Sequence, residues 1–101
     1  MEVTINKQEK ETVVLFAGRL DTPSSLEVSK QLEPVIADAK GTIILECSNL
    51  EYISSSGLRI FLTIRKAAAA QGGNVIVKSI NKEIRNIFMM TGFLNLFQIE
   101  D

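Results

Sequence analysis

Three hydroxyls stand side by side at Ser54, Ser55 and Ser56, followed by Gly57 and an apolar run from Leu58. A serine oxygen at a helix start accepts a hydrogen bond from an amide that the helix leaves unpaired, so these side chains can act as caps. They can also be phosphorylated, because the amides at a helix N-terminus favour an anion there. Other reactive types lie nearby. Glu46 and Glu51 could form a carboxylate pair for acid–base work, but no partner base accompanies them, and they read as solvated loop charges. Cys47 reads as a small buried hydrophobe at a strand end. Gly72-Gly73 lacks the Lys-Ser/Thr of a phosphate-binding loop and reads as a turn.

The missing residue types narrow the chemistry further. The chain has no histidine. That excludes Ser-His-Asp and Cys-His nucleophilic catalysis. It also excludes a histidine phosphocarrier. With a single cysteine, a zinc site has too few ligands, and neither cofactor nor metal is expected. An enzyme would have to work with carboxylates, lysines or hydroxyls alone.

Eleven basic residues against twelve acidic give a net charge of −1, which argues against nucleic acid or an anionic membrane as the main partner. No apolar run approaches the roughly 20 residues a membrane helix needs. MEVTINKQEK lacks the apolar core of a signal peptide. A lone cysteine fits a reducing compartment, and a cytoplasmic location is the expectation. At 101 residues the chain is long enough for one core, so residues 1–101 are read as one domain.

The elements that must position the serines can be read from periodicity. Residues 2–8 alternate around Val3 and Ile5, as a half-exposed strand does. Thr12 to Ala17 is a β-branched apolar run, a more buried strand close enough to pair with the first as a hairpin. Gly18 to Pro23 ends that strand and starts a helix, with Asp21 or Thr22 as cap and Pro23 at the first helical position. Leu26, Leu32, Val35, Ile36 and Ala39 form an imperfect helical stripe. Pro34 should kink or divide it, and Lys40-Gly41 should stop it.

Ile43-Ile44-Leu45 is the central strand, followed by a loop. A helix starting near Gly57 carries the serines in its first turn and ends at Gln71 to Asn74. Val75 to Val77 is another strand. Asn81 caps a third helix that stops at Thr91-Gly92, and Phe93 to Ile99 is a candidate last strand. The fold class is therefore α/β: a small mixed sheet, an antiparallel hairpin followed by parallel βα units, with helices mainly on one face.

LECSNLEYISSSGLRIFL resembles the signature of the STAS domain, the anti-sigma factor antagonist family. Glu46 stands at its first acidic position, Ser48 at its serine, Tyr52-Ile53 at its aromatic-apolar pair, and Ser55-Ser56-Gly57-Leu58 at its core. Gly18-Arg19-Leu20-Asp21 and the segment from Ile87 to Phe93 resemble two further family segments. The resemblance implies a bacterial protein that is no enzyme. Unphosphorylated, it binds an anti-sigma factor that is a serine kinase. The kinase phosphorylates it to break the complex, and a phosphatase resets it. Carried over by position, the phosphoacceptor is Ser55. The family's Asp before that serine is Ser54 here, which makes Ser54 a rival acceptor.

The partner-binding candidates are Asp21, Ser54, Ser55, Ser56, Gly57 and Arg59. Asp21 has the alternative of a plain helix cap. Gly57 would let another backbone approach closely. Arg59, Arg65 and Lys66 either meet a partner or form the wet face of their helix. Met89-Met90 reads as core filling. Two rival functions remain: an interaction module without phosphorylation, such as the small STAS subunit of a lipid-transport complex, and a small enzyme using hydroxyls and carboxylates.

Overall fold

The computed structural model describes all of residues 1–101. Strand β1 (Glu2–Lys7) pairs antiparallel with β2 (Glu11–Leu20), placing Val3 opposite Phe16 and Ile5 opposite Val14. The hairpin closes through the Gln8 amide, which donates to the Glu11 carbonyl at 2.8 Å. The chain continues as α1 (Thr22–Gln31), α2 (Glu33–Ala37), β3 (Thr42–Ile53), α3 (Ser55–Gln71), β4 (Asn74–Lys78), α4 (Lys82–Thr91), a 3-10 turn (Phe93–Asn95) and β5 (Gln98–Glu100).

The sheet order is β1-β2-β3-β4-β5, and the three later pairings are all parallel. Parallel strands laid down one after another in the same direction, each by a right-handed crossover, must put every crossover helix on the same face. The core follows. Val14, Phe16, Leu45 and Val77 of the sheet join Val28, Phe61, Ile64 and Phe88 of the helices in one cluster of 22 buried residues. Ile44, between two core positions, lies outside that cluster and points to the uncovered face with Val13 and Ile76, its register partners. The mixed α/β sheet with helices on one face is as expected from the sequence.

Pro34 divides the helix as anticipated: α1 ends at Gln31 and Pro34 sits in the first turn of α2. Asn81 caps α4 and Gly92 ends it in the left-handed conformation.

Several boundaries and faces differ from the expectation. β2 runs on to Leu20. β3, expected as Ile43–Leu45 followed by a loop, has 12 residues and reaches Ile53. Its pairing with β2 slips twice, between Leu15 and Ala17 and between Gly18 and Arg19, with an extra β3 residue each time. A bulge breaks the two-residue alternation by which a strand is recognised, so the second half of β3 looked irregular. Gly18, at φ +103, lies between the slips.

Helix α3 begins at Ser55 rather than near Gly57, and α2 ends short of Lys40-Gly41. The inward stripe of the first helical segment is Ser25, Val28, Leu32, Val35 and Ala39. It starts on a serine, and Leu26 is left 69% exposed. Met89 and Met90 are 60% and 83% exposed. They are not core filling, because Ile84 and Phe88 already supply the inward face of α4.

Candidate functional site

The site is a corner where two strands end and two helices begin. Leu20 ends β2 and Ile53 ends β3, and the two are register partners. The Ser54 amide donates to the Leu20 carbonyl at 2.8 Å. The next residues on the two chains, Asp21 and Ser54, are the N-caps of α1 and α3. One backbone hydrogen bond therefore brings two helix N-termini to the same corner.

Each cap is built from side chains. The Asp21 carboxylate accepts from the Ser24 amide at 3.0 Å, and the Asp21 amide donates back to Ser24 Oγ at 3.1 Å, satisfying two unpaired amides reciprocally. The Ser24 hydrogen bonds, chiefly that from its amide, hold the Asp21 carboxyl below its ordinary pKa. Ser54 Oγ accepts from the Gly57 amide at 3.2 Å, and its carbonyl accepts from Leu58 at 2.9 Å.

The three hydroxyls are therefore not equivalent. Ser54 is buried, and its oxygen is occupied by the cap. Ser55 is exposed and Ser56 half-buried. The amides of Ser55 and Ser56 precede the first intrahelical bond and remain free for an external acceptor.

Gly57 is also buried. A Cβ there would meet side-chain carbons of Ile53 and Leu20 at 2.8 Å, so the close approach it permits is to its own chain. Neither Ser54 nor Gly57 offers the surface expected of it. In both cases the reason is tight packing of the first turn of α3 on the ends of β2 and β3.

The remaining candidates divide. Arg59 is exposed on α3, one turn beyond Ser55. Arg65 is directed elsewhere: its Nε donates to the Leu96 carbonyl at 2.6 Å. Burial, with Glu46 as a lesser cause, pushes the Cys47 thiol up to about 12, so it is no thiolate near neutrality. No group of three or more His, Cys, Asp or Glu side chains could hold a metal ion.

Two features of the corner were missed. Arg19 lies over the Tyr52 ring, 4.4 Å from its centroid, and the bulge that makes them neighbours is invisible in the sequence. A groove of about 390 Å³ runs between α1 and α3. On the α1 side it is lined by Thr22, Ser25, Leu26 and Ser29, and on the α3 side by Ser56, Arg59, Ile60 and Thr63. Both sets have the spacing i, i+3, i+4, i+7 of a helix face. The signal was present in the sequence, but hydroxyls at that spacing read as ordinary wet surface.

The model of the STAS domain family matches residues 2–101. The chain belongs to the STAS domain family. Among relatives, the anti-sigma-B factor antagonist of Staphylococcus aureus is 24% identical over 101 residues, covering 100% of this chain and 94% of its own. A Thermotoga maritima structure, named provisionally as an anti-sigma factor antagonist, superposes with a TM-score of 0.88 at 18% identity, covering 98% of this chain and 86% of that one. The phosphorylated form of the Bacillus cell fate determinant SpoIIAA superposes with a TM-score of 0.76 at 20% identity, covering 99% and 91%. At those identities the two structures establish the STAS fold alone. No helix is long and apolar enough to cross a membrane.

Two measurements check the caps. Ser54→Ala strands the Gly57 amide and should destabilise the domain by about 1–2 kcal/mol in urea unfolding; an unchanged midpoint would show that the cap contributes nothing. Asp21→Asn keeps an equally good cap at neutral pH. A carboxyl whose pKa is depressed on folding stabilises above its unfolded pKa and loses that contribution as pH falls through the folded value. Stability of the wild type should therefore drop more steeply than that of Asp21→Asn below about pH 4, and coincident acid limbs would contradict it.

Proposed function

We propose that this STAS protein is an anti-sigma factor antagonist. Unmodified, it binds an anti-sigma factor that is a serine kinase; phosphorylation at Ser55 ends the complex, and a phosphatase restores it. The observation that carries the reading is the exposure of Ser55 between a buried cap and a half-buried groove hydroxyl. A kinase must reach the oxygen it modifies, and Ser54, the rival acceptor, is 7% exposed. The name of the Staphylococcus aureus relative, an anti-sigma-B factor antagonist, supports the antagonist part of the reading.

The physics of such a switch is local. A phosphate adds about −1.5 to −2 charges and three acceptor oxygens. At the first turn of a 17-residue helix it meets unpaired amides and the positive end of the macrodipole, worth roughly 0.3–1 kcal/mol for an exposed anion. The domain therefore stays folded. A partner surface closing over Ser55 must desolvate that dianion, and an unpaired buried polar group alone costs about 1–3 kcal/mol, more when charged.

Ser54 in place of the family Asp fits this reading, because serine and aspartate are comparable N-caps. The exchange keeps the first turn of α3 while removing a charge beside Ser55. It also favours one alternative, a STAS interaction module with no phosphorylation cycle, such as a small subunit of a lipid-transport complex. The chain is read as a kinase substrate and not an enzyme: without histidine, the hydroxyls have no general base of that type.

Incubation with the serine-kinase anti-sigma factor of the source bacterium and ATP should place one phosphate on the protein, at Ser55 by mass spectrometry. Ser55→Ala should bind that kinase and resist modification. Ser55→Asp should melt like the wild type and bind at least about tenfold more weakly. Modification at Ser54, or wild-type affinity in Ser55→Asp, would overturn the assignment.

A further inference from the structure

The groove between α1 and α3 has a one-sided electrostatic character. No carboxylate lines it, and its single charged group is Arg59. Arg59 takes part in none of the four salt bridges of the chain, and its guanidinium makes no hydrogen bond within the protein. Beyond the helix backbone itself, the one hydrogen bond at this residue reaches its main chain, where Thr63 Oγ donates to the carbonyl at 2.9 Å. Apolar surface accompanies the charge. Ile36 and Ile60 lie in the groove, and Leu26, 69% exposed, stands at its side. Five hydroxyls fill the rest of the lining.

A long guanidinium side chain without an internal partner, beside exposed leucine and groove isoleucine, is complementary to a carboxylate flanked by apolar side chains. The groove extends for about two helical turns, or roughly 10 Å, which suits a short segment of a protein rather than a flat surface. Its Ser56 end opens at the corner that holds Ser55. Ser55 and Arg59 are four residues apart on α3, the spacing at which helical side chains meet. A phosphate on Ser55 therefore lies within reach of the same guanidinium.

We propose that the α1–α3 groove docks a carboxylate-bearing, apolar segment of the protein partner with Arg59 as its charged anchor, and that a phosphate on Ser55 competes for that anchor from within the chain. The proposal rests on the anti-sigma antagonist reading for the partner's identity. Its internal half, the pairing of Arg59 with the phosphate, can be measured without any partner. Phosphorylation then acts twice: it places a dianion where the partner must close, and it takes away the cation that the partner's carboxylate requires.

The test has two arms on the full chain. In the first, phosphoserine is built in at position 55 during translation, and its second ionisation is followed by phosphorus NMR. A neighbouring cation favours the dianion. The phosphoserine pKa should thus be lower in the wild type than in Arg59→Gln by about 0.3 unit or more, and Arg59→Lys should recover part of the shift. Equal values in the wild type and Arg59→Gln would overturn the competition.

In the second arm, the purified serine-kinase anti-sigma factor of the source bacterium is titrated with unmodified variants by calorimetry. Arg59→Gln and Leu26→Ser should each weaken binding, the former by about tenfold or more. Arg85→Gln, on α4 and paired with Asp101, should stay within about threefold of the wild type. Tight binding by the wild type with no loss in Arg59→Gln would overturn the groove while leaving the antagonist function intact. Absence of binding by the wild type would overturn that function and the groove's partner with it.

Discussion

The hydrogen bond from the Ser54 amide to the Leu20 carbonyl joins the only two places where a strand of this sheet runs directly into a helix with a single residue between. Because Asp21 and Ser54 follow at once as N-caps, that bond sets the positions of both helix starts relative to one another. Everything proposed for the protein depends on this corner. It buries Ser54, turns Ser55 outward, and makes Ser56 and Thr22 the mouth of a groove. Gly57 lets the corner close, since Leu20 and Ile53 occupy the space of any side chain there.

The corner needs a rigid support if a dianion is to be added without moving it. Phe61, two turns along α3, provides one. Its ring lies 5.2 Å from Phe16 of β2, 6.3 Å from Phe88 of α4 and 6.4 Å from Phe97. Aromatic pairs at these separations add to ordinary area burial, and here they clamp one helix between the sheet, α4 and the segment that leads into β5. Modification at the exposed end of such a helix changes charge far more than it changes shape. A switch of this kind is read by the partner's surface, and no second conformation of the domain is required.

How much of this was legible beforehand depended on whether local chemistry or packing decided the outcome. Pro34, Asn81 and Gly92 announced their breaks and caps because each acts within a turn of its own position: Pro34 and Gly92 through the backbone, Asn81 through a side-chain oxygen that accepts from the Ile84 amide. The order of elements followed from apolar runs such as Val75 to Val77. The second half of β3 was hidden, because two bulges erase the alternation that marks a strand. Leu26 was expected in the inward stripe, but the helix turns Ser25 inward at the corner and leaves the leucine in solution, which composition alone argues against. At the site, the cap at Asp21 could be anticipated from helix-start chemistry, whereas Ser55 was singled out by the family resemblance and its exposure is a result of the fold. The burial of Ser54 and Gly57 could not, since it arises from contact with Leu20 and Ile53. The groove escaped because it belongs to two helices at once.

Amide hydrogen exchange at Ser54 and Gly57, compared between the unmodified protein and the protein carrying phosphoserine at position 55, tests the corner most directly. Both amides are bonded inside it, one to Leu20 and one to the Ser54 hydroxyl. The account predicts strong protection in both forms, with rates unchanged by the phosphate to within about threefold. Exchange at these two amides that rises toward the rate of a frayed helix end in the phosphorylated protein would contradict it. The phosphate would then be acting by opening the corner, and the charge-only switch would be wrong.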